Sequence, residues 1–281
     1  RSRRQRQMCI RDRGMSAPTL DLEYELTVDE VLTLAGRLGV DTLPDALALW
    51  PTQPTVAELD RTYDRCAQAL AERELIVDGE VDGDLAHVIT TLRRPERELA
   101  IRLVTAEGLL RATIIRVGRV HVTATRRGDV VRLRAFEADA VERVVDEAVR
   151  LLPKATELQC DSLSVPAGEV SERLAGLTGA TAIADELHAL GADQRSALVL
   201  GAALADYRTA AEIRVASLDA DSDRSHLTQG AVAVFYSARG SVLSAPSTSP
   251  DGQLWCSIKG GSNHRISQAI AQLLSLLPEG W

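Results

Sequence analysis

No run of apolar residues in this chain of 281 approaches the roughly 20 that would span a bilayer, which speaks against a membrane anchor. Cysteine is scarce: Cys9, Cys66, Cys160 and Cys256 lie far apart with no Cys-x-x-Cys pair, so no zinc ribbon can be read, and reduced thiols in a cytoplasm are the expectation. Cys66 falls in a helical pattern and Cys256 in a strand pattern, where a thiol serves as a small apolar residue. Also missing are a Gly-x-Ser-x-Gly elbow, a Walker loop and a His-Glu-x-x-His pair, so no hydrolase, nucleotide or metalloprotease signature is present. Aromatics make up 3% of the chain, which singles out the few that fall on strands, Phe235, Tyr236 and Trp255.

Residues 1–14 differ from the rest: six arginines, no periodicity, and then Met15. They read as a non-native leader, and they lack the apolar stretch of a signal peptide. Setting aside those arginines and Asp12 takes the formal charge from −8 to −13. An acidic surface of that size opposes nonspecific binding to nucleic acid.

What is present is a diverged internal repeat. Gly108 to Val120 is echoed by Gly230 to Val242, 122 residues on. Upstream the offset is 112, pairing Ile101-Arg102-Leu103-Val104 with Ile213-Arg214-Val215-Ala216. Downstream it is 125, pairing Val141, Val145, Ala148, Leu152 and Pro153 with Ile266, Ile270, Leu273, Leu277 and Pro278. The offset changes only at turn residues, as expected of two copies of one supersecondary unit whose loops tolerate changes of length. A single domain over 15–281, built from related halves at about 22–153 and 163–278, is the expectation.

In the first half, an extended piece from Leu22 to Leu26 leads to Thr27, with Glu30 three residues on and then Val31, Leu34, Ala35 and Leu38, the pattern of a capping box and an amphipathic helix. Gly39 stops it. A Pro-rich link, Pro44 to Pro54, precedes a helix from Leu59 to about Leu75, and a third helix runs from Leu85 to Leu92. The period then switches to two. Strands at Glu98 to Val104, Leu109 to Val117, Arg119 to Thr125 and Val130 to Phe136 make an antiparallel meander, followed by a helix from Glu137 to Leu152. The second half repeats the plan: helices within Gly168 to Leu190 and Asp193 to Tyr207, a strand at Ala211 to Ser217 and a long loop at Asp219 to Gln229. Strands at Ala231 to Ala238, Ser241 to Ala245 and Leu254 to Lys259 and a helix at His264 to Leu277 complete it. The fold class is α/β of the α+β type, with one quasi-twofold antiparallel sheet. Helices on one face of that sheet would leave strand surface open for function.

Chemistry-bearing candidates are few. Gly260-Gly261-Ser262-Asn263 joins a strand to a helix, where it reads as a turn with a Ser or Asn cap rather than a phosphate loop. Ser225-His226, near Asp219, Asp221 and Asp223, resembles a hydrolase constellation only superficially, because a polar loop lacks rigid support. Arg119, His121, Thr123, Arg132 and Arg134 share a strand face; they read as a solvated basic face or, alternatively, as an anion or small-ligand site of a regulatory domain. Phe235 and Tyr236 point to opposite faces, so one joins the core while the other is free to anchor a partner.

Leu26-Thr27-Val28-Asp29-Glu30-Val31-Leu32, Arg93-Arg94-Pro95-Glu96-Arg97-Glu98-Leu99, Arg116-Val117-Gly118-Arg119 before Val120-His121-Val122, and the helix end from Leu273 to Pro278 occur in this order along the chain. Together, from about Leu22 to Pro278, they resemble the EspG family, cytosolic chaperones of mycobacterial-type ESX (type VII) secretion. The resemblance implies a central antiparallel sheet with two helical bundles, no enzyme activity, no cofactor, and a partner that is the helical tip of a PPE protein in a PE/PPE heterodimer. It implies contacts from the turn between the first two long strands (Thr105, Glu107 and Gly108), from the strand and turn at Phe235, Tyr236 and Arg239, and from the bundle helix near Asp206. The turn is very short here.

Overall fold

A computed structural model describes residues 21–218, 225–249 and 252–281. The expected leader, and Asp219, Asp221 and Asp223, lie outside the described residues. The chain opens with β1 (Asp21–Thr27), α1 (Val28–Arg37), a 3-10 turn (Asp45–Leu47), α2 (Val56–Glu72), a small hairpin of β2 (Ile76–Val77) and β3 (Glu80–Val81), and α3 (Gly83–Thr91). The meander follows as β4 (Arg97–Thr105), β5 (Gly108–Val117), β6 (Val120–Arg127) and β7 (Val130–Glu137), closed by α4 (Val141–Arg150). The second half runs β8 (Leu163–Pro166), α5 (Ala167–Leu174), α6 (Ala180–Ala189), α7 (Gln194–Ala205), β9 (Tyr207–Leu218), β10 (Ser225–Leu227), β11 (Val232–Ser237), β12 (Gly240–Thr248), β13 (Leu254–Gly260) and α8 (Asn263–Ser275).

Local chemistry explains the helix starts. The Thr27 backbone N–H donates to the Glu30 carboxylate at 2.8 Å and the Glu30 N–H to the Thr27 hydroxyl at 3.2 Å, the expected capping box. The side chains of Thr55, Asp82, Asp193 and Ser262 cap α2, α3, α7 and α8. The boundaries differ from the sequence reading in several places, among them β10, a strand within the stretch expected to be a long loop. The helix expected to reach Leu75 ends at Glu72 so that the β2–β3 hairpin can form, and the one expected from Glu137 starts at Val141, because Glu137 still pairs with Val120. Tyr207 begins a strand instead of ending a helix, and β8 is an additional edge strand.

The main sheet has the order β1-β7-β6-β5-β4-β9-β11-β12-β13-β8, with β10 added beside β9. It reads the same from both ends, each strand of the first half mirrored by its repeat counterpart. At its centre β4 and β9 are antiparallel and Ile101 lies opposite Ile213, its own counterpart at the 112 offset. A pseudo-twofold axis therefore passes between these two fully buried isoleucines. Both edges are protected against pairing with other chains. Arg132 and Arg134 on β7 reach across to Glu25 (2.8 Å) and Asp21 (3.2 Å) on β1, and β8 is four residues long and ends in proline.

Helices cover both faces, which corrects the expectation of a sheet with one face left open. One face packs Leu99, Ile101, Ile114, Ile213 and Leu243 against α4 and α8. On the other face α1–α3 cover Ile115, Val122 and Leu133, and α5–α7 cover Val242, Cys256 and Ile258. The reason lies in the strands: Ile114-Ile115 and Val242-Leu243 are consecutive buried pairs, and neighbouring residues of a strand point to opposite faces. The bundle-side face of β4 and β9 stays open in places, where Arg102, Val104 and Arg214 are exposed.

Candidate functional site

Antiparallel pairing decides which turns meet. Val104 opposes Ala210, and Tyr207 opposes Ser237, so the β4–β5 turn, the start of β9 and the β11–β12 turn all lie at one end of the central strands. Thr105, Glu107, Gly108, Asp206, Phe235 and Arg239 are brought together there, although they are spread over 135 residues of chain. The two turns are built alike. Thr105 donates its hydroxyl to the Gly108 carbonyl (3.1 Å) and accepts from the Glu107 N–H (3.2 Å); Ser237 does the same with Gly240 (2.8 Å) and Arg239 (3.2 Å). Both closing glycines have positive φ, +117° and +131°, which side chains rarely adopt. The tips differ in sign. The Thr105 hydroxyl, a backbone N–H and Arg127 hold the exposed Glu107 carboxyl below its usual range. Arg239 is exposed at the other tip.

Between the tips, apolar side chains are exposed beside the Asp206–Arg208 ion pair (4.0 Å). Val104 is 52% exposed and Tyr207 47%, and the Tyr207 ring meets the Phe235 ring edge-on at 5.1 Å. Phe235 also lines a groove of about 530 Å³ running between α5 and the sheet, with Leu174, Ile183, Leu204 and Val242 among its walls and no charged residue. Such a groove suits apolar side chains of a partner. Tyr236 is placed elsewhere: it is 9% exposed, on the α4–α8 face, and its hydroxyl has no hydrogen-bond partner among the described residues. Burial pushes its phenol pKa up. Alternation had put the two aromatics on opposite faces, and the structure shows that Phe235 is the one near the surface.

Sequence reasoning passed over Val104 and Tyr207. Val104 carried a signal, since an apolar residue stands at an outward position of an alternating strand. Tyr207 carried none, because it sits at the junction where helical and extended patterns overlap.

The other candidates resolve differently. The face bearing His121 is solvated at Arg119 and Arg132, as read from the sequence, and covered by α4 and the carboxy-terminal segment at His121 and Thr123. Arg119 pairs with Asp139 (2.8 Å), Arg132 with Glu25, and Arg134 with Asp21 and the buried Glu147 (2.9 Å). Glu147 also accepts from Thr123 (3.2 Å) and Arg150. All three arginines are already neutralised, which removes the support for an anion site. His121 stacks on Phe136 at 5.2 Å; its Nδ1–H donates to the Arg119 carbonyl, and its Nε2 accepts from the Trp281 indole N–H at 3.2 Å. A carbonyl can only accept and an indole can only donate, so this arrangement requires neutral imidazole. Burial accordingly lowers its pKa. Ser262 caps α8 by accepting from the Arg265 N–H, while Asn263, the first residue of that helix, accepts from the Ala155 N–H of the segment after α4. Ser225 and His226 belong to β10, paired with Leu218 and Ser217 of β9. Among the described residues no group of three or more His, Cys, Asp or Glu could hold a metal ion, and no helix is long and apolar enough to cross a membrane.

A family pattern described as "EspG family" matches residues 27–272, from the capping box of α1 into α8. The chain belongs to the EspG family. Among its relatives, the ESX-3 secretion-associated protein EspG3 of Mycolicibacterium smegmatis is 28% identical over 260 residues, covering 91% of this chain and 87% of the relative. The ESX-1 secretion-associated protein EspG1 of Mycobacterium tuberculosis is 27% identical, covering 91% and 88%. Among solved structures, the Mycobacterium tuberculosis type VII secretion system chaperone EspG5, determined in complex with a PE25-PPE41 dimer, superposes with a TM-score of 0.77 at 14% identity, over 92% of this chain and 98% of that one. That likeness is one of fold.

Proposed function

We propose that this protein is a specificity chaperone of ESX (type VII) secretion that binds the helical tip of a PPE protein within a PE/PPE heterodimer and keeps the pair soluble before export. The carrying observation is the end of the sheet where the Glu107 and Arg239 turns flank Val104, Tyr207 and Phe235, beside an uncharged groove under α5–α7. A helical tip with apolar residues fits such a surface as an amphipathic segment fits a groove, and oppositely charged tips can fix its orientation. Covering an aggregation-prone tip stabilises the soluble pair by mass action, and this needs binding alone, with no chemical step. The fold neighbour's complex with a PE–PPE dimer and the family membership both favour this reading over a ligand-binding regulatory domain. It acts in the cytoplasm, before its client leaves it.

The test is size-exclusion chromatography with light scattering, the chain being mixed with a PE/PPE heterodimer encoded beside it. A 1:1:1 complex is expected. Phe235→Glu should abolish it and Trp50→Ala should leave it intact; failure with every neighbouring pair would overturn the proposal.

A further inference from the structure

A row of arginines crosses the first half of the sheet. Arg102 on β4 lies directly opposite Arg111 on β5, and Arg111 directly opposite Arg126 on β6, so three cations share the bundle-side face at the spacing of neighbouring strands, about 5 Å. Like charges directly opposite one another destabilise a sheet unless something neutralises them. Arg126 is accounted for in part: its guanidinium donates to the carbonyls of Gly128 (2.9 Å), Leu47 (3.1 Å) and Ala48, pinning the 3-10 turn to the strands. Carbonyls hold it in place without cancelling its charge. Arg102 and Arg111 have no ion pair and no hydrogen-bonded side chain among the described residues, and Arg102 is exposed while Arg111 is half-buried.

The repeat shows what is missing. Arg102 corresponds to Arg214 at the offset of 112, and Arg214 is neutralised at 2.6 Å by Glu212, two residues earlier on its own strand. The first half has Ala100 where the second has Glu212. Glu212 also faces Arg102 across the β4–β9 ladder, yet its carboxylate is taken by Arg214. The two unpaired arginines are placed where a client would meet them. Next on the same face, towards the β4–β5 turn, come Val104 and Leu109, and an open cavity of about 520 Å³ lined by Arg111, Arg126, Arg127, Leu109 and Glu107 adjoins that turn.

We propose that Arg102 and Arg111 form a carboxylate-recognition site within the client interface, which receives an Asp or Glu side chain from the helical tip of the PPE protein and so selects among clients by charge. The inference rests on the chaperone reading and supplies what that reading leaves open, the chemistry of the client residue that lies over β4 and β5. A guanidinium grips a carboxylate through parallel N–H bonds, and two guanidiniums on neighbouring strands can hold one carboxylate between them. Inside an interface such a contact is shielded from water and counts for more than an ion pair on an open surface. A protein carboxylate suits the site better than a nucleic acid or an anionic membrane, because the chain carries a formal charge of −8 and repels a polyanion at long range.

Isothermal titration calorimetry of the full chain with a PE/PPE pair encoded beside it, at low and at high salt, tests the site. The wild type should bind, and more weakly at high salt. Arg102→Glu and Arg111→Glu should each weaken binding by about tenfold or more and reduce its salt dependence, with circular dichroism unchanged. Lys154→Glu, the same change of charge at an exposed position after α4, should stay within about twofold of the wild type. When the acidic residues of the client tip are replaced by lysine one at a time, one replacement should weaken binding to the wild type and restore it to an arginine variant. Arginine variants that bind within about twofold of the wild type, an equal loss with Lys154→Glu, or no rescuing replacement would overturn the site and leave the chaperone reading standing. No binding of any neighbouring pair by the wild type would overturn both. Sedimentation of the wild type, but of neither arginine variant, with phosphatidylglycerol vesicles would assign the arginines to a membrane surface and overturn the client carboxylate.

Discussion

The two halves share one plan and diverge in what they bury. Counted outward from the Ile101–Ile213 pair through the strand ladders, His121 on β6 stands where the second half has Ser241 on β12, and Ala135 on β7 where it has Gly260 on β13. Both substitutions are explained by contacts outside the repeat. Ser241 is buried and its carbonyl accepts from the Gly261 N–H at 2.8 Å, whereas His121 receives the Trp281 indole, fastening the carboxy-terminal segment of the second half onto the first. Arg97 strengthens that fastening by donating to the carbonyls of Gly280 (2.9 Å) and Pro278 (3.2 Å). Gly260 is needed because a Cβ there would lie 1.9 Å from the Leu158 carbonyl oxygen, on the segment that leads into β8. The grooves differ too: that of the second half has no charged residue in its walls, whereas one of about 520 Å³ beside α1 is lined by Asp41, Asp45, Arg93 and Glu98. A duplicated unit keeps its inward faces because the shared sheet demands them; its outward faces and junctions are free to specialise.

The comparison can be broken first at its axis. Ile101→Ala removes a fully buried side chain where the two halves meet and should cost about 2–5 kcal/mol. Denaturant unfolding should show a lower midpoint with an unchanged slope; a second transition instead would mean that the halves unfold separately. Gly260→Ala forces a methyl onto backbone and should cost about 3 kcal/mol, although the equivalent first-half position already holds alanine. A change under about 1 kcal/mol by thermal or denaturant unfolding would mean that the segment at Leu158 moves aside easily.

The smallest effect is pH-dependent and belongs to the first half alone. His121 has a folded pKa below its usual 6.5, so the folded state binds fewer protons than the unfolded chain between the two values. The stability associated with the neutral ring is therefore present above about pH 6.5 and is lost as the pH falls through the folded value. Urea midpoints measured from pH 7.5 down to pH 5 should show this, and His121→Leu, which removes the titrating ring, should flatten the slope contributed by this site. An unchanged slope would show that other groups carry it.

Much of the architecture was legible in the sequence. The repeat located both halves, the switch from helical to alternating period located the meanders, and Thr27 with Glu30 located the first helix start. These are local signals, set by side-chain period and by backbone groups that need a cap within a few residues. The turn residues Thr105, Glu107, Gly108, Asp206, Phe235 and Arg239 came from family resemblance, since nothing within any one of these segments says that the others are near. Tyr236 shows the limit of alternation: it told that Phe235 and Tyr236 diverge and left open which one faces the core. The basic face around His121 misled for the same reason, since its neutralising carboxylates and its cover come from β1, α4 and the last residues of the chain.

Periodicity, capping and the internal repeat are properties of neighbouring residues, and so the elements, their order and the twofold relation of the halves were determined by the sequence alone. Which face each helix covers, which turns share an end of the sheet, and which charges find partners were decided only by the tertiary structure. Those depend on strand register and on contacts between residues more than a hundred positions apart, such as Ile101 with Ile213 and His121 with Trp281.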